Sequence, residues 1–595
     1  MLSRSAYIIC VALLLYVALI FDPKWKNTGR ESSLGWDVST YYWYLPATFI
    51  YHDLKEQKFG DSIIDKYGFT PVFEQSFVHK SGNRVITYSS GLAVVFLPAF
   101  AVAHALAAPL GYEADGFSLP YQAAVHFWSL LAAIVGLWYF RKLLLRYFSD
   151  KVTAISLVLL VFGTNYLNYA GVDVTLTHSW LFSIYTLVLL NTGNFYADPR
   201  YKYAIRIGLL TGLAILIRPS DMIIALIPLL WGMENIWPGT IKKRFMFFIA
   251  NYKPFLLAVL CTVLVGSIQI IYWLYVAGEP LVYSYDDKGF YWTKPHFFDY
   301  TFSYRSGWLV YTPLMFFAFA GLLVYLWKGK NKVAIISFFL LNYYIIAAWD
   351  VWWYGGMGGR PMVQSYAITF FMIAALIDVL LKTRWIKWPV FAVMAVFVYV
   401  NIWFTYNAHT PKGLYDPVGM TKAYYWKVVG RFKVPEYTVR FKDTDEYFDG
   451  APKNMKQLYS YGFEDDTTAS DVYPISGKRS LYFHPYRDYS PILAFPYSPG
   501  NADWLRAKVT IKVMDDEWEY WKMLQFTIGF VKQEEKIKTN MIRLHRFAIE
   551  GKPTEVYFDV KIPKQPFDSV HVFFWNPGSY TTAKLDDIEI WSFEE

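Results

Sequence analysis

Two patterns of apolar residues divide the chain of 595 residues, and the first of them dominates its N-terminal two thirds. Apolar runs of helical length follow one another up to residue 405. About 20 apolar residues in a helix are enough to cross the hydrocarbon core of a membrane. The runs predict helices near 6–21, 120–140, 152–170, 176–195, 203–218, 219–236, 254–277, 308–327, 332–349, 362–381 and 388–405.

The second pattern begins after Asn407, where short segments of alternating apolar and polar residues replace the long runs. Alternation with a period of two is typical of strands that bury one face, and Gly, Pro and Asp turns separate the segments. They read "RSLYFHP", "AKVTIKV", "LQFTIGFV", "TEVYFDVKI", "SVHVFFW" and "DDIEIW". We therefore predict an all-β sandwich or jelly roll over 455–595, after a polar connector over 406–454.

One further apolar run, from Ser89 to Leu110, is also long enough to cross, and the basic residues decide its interpretation. If it does not cross, all later basic clusters lie on the same side as Arg4, as the positive-inside rule requires. We therefore predict an interfacial or re-entrant helix, bent by Pro98 and Pro109. The clusters are Arg141, Lys142 and Arg146, then Arg200 and Lys202, then 242–244, 328–332 and 382–387.

These assignments predict a polytopic α-helical membrane domain over 1–405 with about eleven spanning helices, in the cytoplasmic (inner) membrane. The N-terminus is then cytoplasmic, and the long loop 22–119, with its interfacial helices, is extracytoplasmic. Chemistry is commonly built on long loops that a rigid scaffold positions. We therefore expect the active face and the β-domain to be periplasmic or extracellular.

Composition agrees with a membrane protein and excludes other classes of function. Hydrophobic residues make up 55% of the chain and charged residues 17%, below the quarter usual for soluble domains. The net charge of +8 reflects the clusters between apolar runs, so no nucleic-acid partner is predicted. Cys10 and Cys261 both lie in apolar segments and lack metal-ligand spacing. No cofactor is predicted, and a divalent metal stays an alternative that the sequence does not indicate.

The segment "GWDVSTYYWYLPATF" begins soon after the first helix and holds Asp37 beside a group of aromatic residues. One interpretation is an interfacial acid that caps a helix or pairs with a lysine. The other is a general base, because a carboxylate partly shielded from water accepts a proton from a hydroxyl more readily. The sequence leaves both interpretations open.

Two other polar groups interrupt apolar surroundings. "NYAGVDVTLTHSW" places Asp173 and His178 on a short outer loop, where they could face the same cavity as Asp37 or simply be solvated. Arg218 in "ILIRPSDMII" lies between two apolar segments, where an arginine is costly and therefore a candidate functional residue. Its partner is either Asp221 or an anionic ligand such as a lipid phosphate, which a guanidinium binds through two hydrogen bonds.

Two outer loops near the end of the membrane domain carry further candidates. Arg305 lies at the start of a helix in the segment "FSYRSGWLVYTPL". Arg360 follows the glycine-rich and tryptophan-rich turn "WDVWWYGGMGG". Glycines let a backbone approach a ligand closely, and the indoles of Trp352 and Trp353 can stack on sugar rings or lie at the headgroup layer.

Taken together, these segments resemble the GT-C glycosyltransferases, above all the bacterial protein-mannosyltransferase and aminoarabinose-transferase type. The resemblance rests on Asp37 with its aromatic segment, "YRSGWLVYTPL", "WWYGGMGGRP", Thr-His-Ser at 177–179 and Ile-Arg-Pro at 217–219. It covers about 1–405, whereas the β-domain resembles carbohydrate-binding jelly rolls. Many relatives place a second acid directly after the first, and Val38 stands there in this chain, so metal assistance at this position is not indicated.

The resemblance implies that a sugar is transferred with inversion from a polyprenyl-phosphate donor to an extracytoplasmic glycan, lipid or protein. Asp37 would act as the general base, and Asp173 is the second catalytic candidate. The donor phosphate would be bound by Arg218, Arg305 and Arg360. The predicted substrate-binding residues are Tyr41, Tyr42, His178, Trp352 and Trp353. Membrane lipids are the remaining expected partners.

Two other classes of function compete with this interpretation. A lipid or glycan transporter or flippase would show paired interrupted helices and acids at the bilayer midplane, and the sequence shows no convincing inverted repeat. A non-catalytic envelope scaffold would bind glycans through the β-domain alone. A scaffold leaves the arginines of the outer loops unexplained.

Overall fold

A computed structural model describes residues 1–285, 287–410, 413–416, 419–514, 522–579 and 582–595. The chain forms two compact units, Met1–Lys412 and Gly413–Glu595. The first unit is helical apart from one short hairpin, and the second is built mainly of strands. The predicted fold class, a helical membrane part followed by an all-β domain, is confirmed.

The helices of the first unit begin and end close to the apolar runs. They are α1 Leu2–Tyr16, α2 Asp37–Tyr42, α3 Tyr44–Phe49, α4 Gly60–Tyr67, α5 Gly91–Ala107, α6 Leu119–Leu144, α7 Asp150–Gly163, α8 Thr177–Ala197, α9 Tyr201–Ile217, α10 Leu226–Leu230, α11 Pro238–Ala250, α12 Tyr252–Ala277, α13 Phe297–Phe302, α14 Trp308–Tyr311, α15 Phe316–Lys328, α16 Lys332–Ala348, α17 Tyr366–Leu381 and α18 Lys387–His409. The hairpin pairs β1 Ser76–Val78 with β2 Arg84–Ile86.

Five helical segments among the described residues are long and apolar enough to cross a membrane, so the chain is an integral membrane protein. They are Leu2–Lys26, Gly91–Leu110, Leu119–Leu144, Tyr252–Ala277 and Lys387–His409. Shorter apolar helices cover Pro219–Leu230, Pro313–Lys328, Lys332–Ala348 and Tyr366–Leu381.

The predicted helix over 219–236 is wrong in length and in type. A 3₁₀ helix covers Pro219–Ala225, α10 follows, and the backbone is extended at Trp231. Two prolines in this stretch, Pro219 and Pro228, remove backbone donors that a long α-helix would need. Gly232, with φ of +79°, then reverses the chain direction.

Close backbone contacts hold the long helices together. A Cβ atom on Gly208 of α9 would lie 2.2 Å from the Ala258 carbonyl oxygen of α12, and one on Gly212 would lie 2.8 Å from that of Thr262. This four-residue spacing of small residues is the usual way for membrane helices to approach closely. Gly321 of α15 is pressed in the same way against α17.

Helix α5 packs against only the first half of α6. It is the apolar run that the charge pattern assigned to the membrane surface. It begins where the backbone of Gly91 contacts Ile217 at the end of α9. One turn later the Trp128 indole of α6 donates a 2.8 Å hydrogen bond to the Val95 carbonyl oxygen. The basic end of α6 at Arg141 lies 13 residues beyond Trp128, or roughly 20 Å along the helix. These contacts place α5 beside the first half of α6, and its assignment as an interfacial or re-entrant helix stays a prediction.

The second unit is a sandwich of two antiparallel sheets. One sheet has the order β5-β10-β7-β8 and the other has the order β3-β11-β6-β9, with β4 paired to β11. The strands are β3 Lys453–Tyr461, β4 Leu481–Phe483, β5 Leu493–Pro496, β6 Trp504–Val513, β7 Gln525–Lys532, β8 Glu535–Arg543, β9 Thr554–Lys561, β10 Ser569–Trp575 and β11 Ala583–Glu594. In β6 the odd-numbered residues from Leu505 to Val513 are buried, as the alternation predicts.

Part of the predicted connector packs on this sandwich. It contains helix α19, Lys422–Val428, and a 3₁₀ helix over Glu436–Lys442. The fully buried carboxylate of Asp443 then pairs with Arg543 at 2.6 Å and with Arg546 at 3.1 Å. These ion pairs fasten the segment to the end of β8.

Candidate active site

Asp37 is the first residue of helix α2 and follows an unusual turn. Trp36 has φ of +51° and ψ of −132°, a conformation that costs a residue with a side chain of the order of 1–3 kcal/mol. The turn persists because the Trp36 amide donates to the Phe69 carbonyl oxygen at 3.0 Å and the Trp36 carbonyl accepts from the Ser39 hydroxyl. These hydrogen bonds hold the backbone immediately before Asp37.

Both oxygens of the Asp37 carboxylate are engaged. The Tyr88 hydroxyl donates to Oδ1 at 3.1 Å, and Nη2 of Arg360 donates to Oδ2 at 3.1 Å. The Asp37 side chain is nevertheless 30% exposed, and the Arg360 side chain is 21% exposed. The pair therefore forms part of the wall of an accessible site, where a ligand can reach either partner.

The turn that carries Arg360 is held tightly and tolerates only glycine at two points. A Cβ atom on Gly359, whose φ is +72°, would lie 2.4 Å from the Trp308 ring. One on Gly358 would lie 2.9 Å from the Ser306 carbonyl oxygen. The loop 303–308 thus packs directly against the turn and fixes the position of Arg360.

Arg218 ends helix α9 in an extended conformation and has only a loose partner. Its Nε lies 3.8 Å from Oδ2 of Asp221, too far for a hydrogen bond. The other oxygen of Asp221 accepts from the Tyr185 hydroxyl at 2.5 Å and from Gln364 at 3.5 Å. The Arg218 side chain is 20% exposed, so its N–H groups can reach an anionic ligand without breaking a strong ion pair.

Arg218 and Arg360 share a set of tyrosine neighbours. The charges of both guanidinium groups act on the hydroxyls of Tyr41, Tyr285 and Tyr354. Of the two arginines, Arg360 is the one in direct contact with the Asp37 carboxylate. Arginines can bind a phosphate group, and a carboxylate beside them can take the proton of a substrate hydroxyl.

Arg305 is placed differently from the other two arginines. Its guanidinium lies over the Trp353 ring, 4.3 Å from the ring centroid, and Trp352 meets Trp353 edge-on at 5.7 Å. The loop that carries Arg305 packs on the turn before Arg360. Trp352 and Trp353 therefore lie close to the turn that carries Arg360.

Two of the predicted substrate-binding residues have buried side chains. Tyr42 is fully buried, and its hydroxyl donates to the Gly116 carbonyl oxygen at 2.6 Å, which favours a structural role; its contact with substrate stays a prediction. His178 is only 3% exposed, and its Nδ1 lies 3.2 Å from the Gln364 side-chain oxygen. Because Gln364 also contacts Asp221, the His178 position favours a role behind the site rather than in contact with substrate.

Asp173 is committed to a buried ion pair. Its carboxylate lies 2.6 Å from Nζ of Lys24 and accepts from Asn168 at 2.9 Å. Burial acts to raise the pKa of Asp173, but the charges of Lys24 and His409 outweigh it and hold the pKa at about 2. A carboxylate with so low a pKa is a poor proton acceptor near neutral pH, so these contacts favour a structural role.

Several residues of the site were not singled out in the sequence. Tyr88 lies in a short loop before α5, where nothing in its surroundings marks it. Gln364 lies four residues after Arg360, in the turn between the 3₁₀ helix Arg360–Met362 and α17. Within the described part of the chain, no group of three or more His, Cys, Asp or Glu side chains is placed to hold a metal ion.

Comparison with known proteins gives distant likenesses. No protein-family model matches the chain, and no curated protein matches it. The chain is similar to the oligosaccharyltransferase of Archaeoglobus fulgidus in its apo form, with 13% identity over 75% of this chain and 61% of that one, at a TM-score of 0.43. It is also similar to the arabinosyltransferase EmbB from Mycobacterium smegmatis, with 10% identity over 83% and 59%, at a TM-score of 0.32. The chain thus spans less than two thirds of either structure, and the function proposed below rests on the site itself.

Proposed function

We propose that the chain transfers a sugar, with inversion, from a polyprenyl-phosphate donor to a hydroxyl of an extracytoplasmic acceptor. The observation that supports this proposal is the partly exposed Asp37 carboxylate, which pairs with Arg360 at 3.1 Å, while the partly exposed Arg218 acts on the same Tyr41 hydroxyl. A base and a phosphate-binding pair of cations are the two elements that this reaction needs. Asp37 acts as the general base in this proposal.

One carboxylate is sufficient for this chemistry. An inverting glycosidase uses an acid and a base, because its leaving group must be protonated. A phosphate leaves as a stable anion, and cations that face it stabilise the charge as it grows. Asp37 needs only to take the proton of the acceptor hydroxyl, while Arg218 binds the departing phosphate.

The Asp37–Arg360 ion pair implies that donor binding has a second effect, on the Asp37 carboxylate. This ion pair lowers the negative charge available on the carboxylate. A guanidinium has five donors in a planar fork, so a bound phosphate competes with Asp37 for Arg360. We propose that donor binding draws Arg360 toward the phosphate and frees Asp37 to accept the proton. In this order, Asp37 takes the proton of the acceptor hydroxyl only after the donor is bound.

The orientation follows from the charge pattern. With the N-terminus in the cytoplasm of an inner-membrane protein, the basic clusters face the cytoplasm and the Asp37 site faces outward. The isoprenoid tail of the donor then stays in the bilayer, and the acceptor, whether glycan, lipid or protein, arrives from the extracytoplasmic side.

The proposed reaction is tested with the purified full-length protein in detergent. A lipid extract of the source cells supplies the donor, envelope material supplies the acceptor, and mass spectrometry follows sugar transfer together with release of polyprenyl phosphate. We expect both products in equal amounts. Transfer from a soluble nucleotide sugar, or movement of the lipid donor across vesicles without any covalent transfer, would contradict the proposal.

The β-domain carries an aromatic surface suited to an acceptor glycan. The rings of Tyr489 and Trp575 lie nearly parallel with centroids 6.2 Å apart, and the two residues are 57% and 36% exposed. Flat exposed rings of this kind stack on the apolar faces of sugars. We propose that this surface orients the acceptor and takes no part in catalysis.

Replacing both Tyr489 and Trp575 with Ala should raise the KM for a glycan acceptor several-fold, since aromatic stacking contributes about 0.5–1.5 kcal/mol per contact. The kcat should stay unchanged because the catalytic groups are untouched. Tyr473→Ala is the matched control, since Tyr473 is 85% exposed in the same unit. Equal KM values for the double variant, the control and the wild type would contradict a role of this surface in acceptor binding.

A further inference from the structure

A cavity of about 610 Å³ lies between three helices, well away from Asp37. It is formed by the C-terminal parts of α6 and α8 and by the N-terminal half of α9. Its polar lining consists of Lys142, Arg146, Arg206, Asn191, Asn194 and Tyr139. The rest of the wall is made of leucine side chains.

The helix lengths place this cavity near the opposite face of the helical unit from the candidate active site. Along α8, Asn191 is 13 residues (191 − 178) beyond His178, which lies behind the active site. Along α9, Arg206 is 12 residues (218 − 206) before Arg218. At about 1.5 Å per residue these spacings amount to roughly 18–20 Å. In the proposed orientation the cavity therefore opens toward the cytoplasmic leaflet.

The cavity is strongly electropositive. Lys142, Arg146 and Arg206 contribute three positive charges, and none of the described residues that line the cavity is acidic. None of the three forms an ion pair with a carboxylate among the described residues, and the nearby Asp198 is paired with Arg200. Three cations held together without a counter-charge repel one another, so an anion that enters the cavity lowers the free energy of the folded state.

The surroundings of the cations indicate a lipid rather than a soluble anion. Lys142 lies over the rings of Trp138 and Tyr139, at 5.3 Å and 5.2 Å, and such aromatic residues collect at the headgroup layer. The wall includes Leu209, which is 45% exposed at the outer surface of α9. A lipid can place its phosphate among the cations and its acyl chains along this apolar surface.

We propose that this cavity binds the phosphate headgroup of an anionic lipid of the cytoplasmic leaflet. Basic residues close to the membrane surface attract anionic lipids. In the cavity the position of one of these cations is fixed, because Nη1 of Arg146 donates a 3.4 Å hydrogen bond to the Leu190 carbonyl oxygen. The proposal does not depend on the reaction that Asp37 performs.

The test compares lipids on the purified full-length protein in detergent. Phosphatidylglycerol and phosphatidylcholine are titrated separately, and native mass spectrometry and the shift in Tm report binding. We expect phosphatidylglycerol to bind and to raise the Tm, with little effect of phosphatidylcholine. The triple variant Lys142→Gln, Arg146→Gln, Arg206→Gln should lose this preference, with an apparent affinity at least tenfold lower.

A second triple variant controls for net charge. Lys202→Gln, Lys243→Gln, Lys253→Gln removes the same number of charges from basic residues that do not line the cavity. It should bind phosphatidylglycerol like the wild type, and an equal loss in both triple variants would overturn the proposal. The single variant Arg206→Gln, at an exposed position of α9, tests the same point if the cavity triple variant does not fold.

Soluble anions separate a lipid site from a phosphate site. Inorganic phosphate and glycerol 3-phosphate, each at millimolar concentration, should neither raise the Tm nor displace the lipid. If either one stabilises the wild type as well as phosphatidylglycerol does, the site recognises a free phosphate and the lipid assignment is wrong. Equal binding of phosphatidylglycerol and phosphatidylcholine would also overturn it.

Discussion

Replacing Asp37 with Asn is expected to lower the rate of sugar transfer by roughly 10²–10⁴-fold, the usual contribution of a general base. The amide keeps the size of the carboxylate and can still accept the hydrogen bond of Tyr88, so the local structure should persist. It cannot take the proton of an acceptor hydroxyl. Single-turnover transfer from a labelled lipid donor measures the effect directly.

Donor binding separates loss of the base from loss of the site. Asp37→Asn removes the carboxylate partner of Arg360 and leaves the guanidinium free for the donor phosphate. Donor affinity should therefore be unchanged or higher, whereas the rate falls. Asp61→Asn, an exposed acid at the start of α4, is the matched control and should behave like the wild type. An Asp37→Asn variant that folds, binds donor and transfers sugar at the normal rate would exclude Asp37 as the base.

The fold was predictable where one physical signal dominated. Apolar runs of spanning length predicted the helices, and the alternation in β6 predicted the buried face of the sandwich. The stretch 219–236 failed because its apolar content resembles a helix, while Pro219 and Pro228 interrupt the backbone hydrogen bonds. Hydrophobicity alone does not report those lost bonds.

The site was predictable only in part, for a geometric reason. Asp37, Arg218 and Arg360 are charged residues in apolar or glycine-rich surroundings. A charge in such surroundings costs free energy, which marks each of them in the sequence as a candidate functional residue. Tyr88 has no such cost, because contacts across the fold bring it to Asp37. Tyr42 was assigned with its neighbours because the sequence alone did not show a helix at this point.

Helix α2 explains why Tyr41 and Tyr42 differ. In a helix, Tyr41 lies one turn after Asp37 and on the same face. Tyr42 lies about 140° around the axis from Asp37, and its side chain is fully buried. Once the helix boundaries are known, the sequence places Tyr41, and not Tyr42, on the Asp37 face of the helix.

Arg218 should be the residue whose loss most affects the departing phosphate. Arg218→Met is expected to lower kcat by roughly 10²–10³-fold, the usual effect of removing a donor that faces a developing negative charge. Arg218→Lys should fall between this variant and the wild type, since lysine keeps the charge but loses the planar pair of donors. Steady-state kinetics with a defined lipid donor measure both variants.

Asp221 provides the control that separates phosphate binding from a structural ion pair. Arg218→Met alone leaves the buried Asp221 carboxylate without its nearby cation, so it should also lower the Tm. The double variant Arg218→Met, Asp221→Asn removes both charges and should regain most of the thermal stability. If Arg218 binds the phosphate, the double variant is stable and still nearly inactive. If activity returns together with stability, the pair is structural, and Arg360 is left as the cation that faces the departing phosphate.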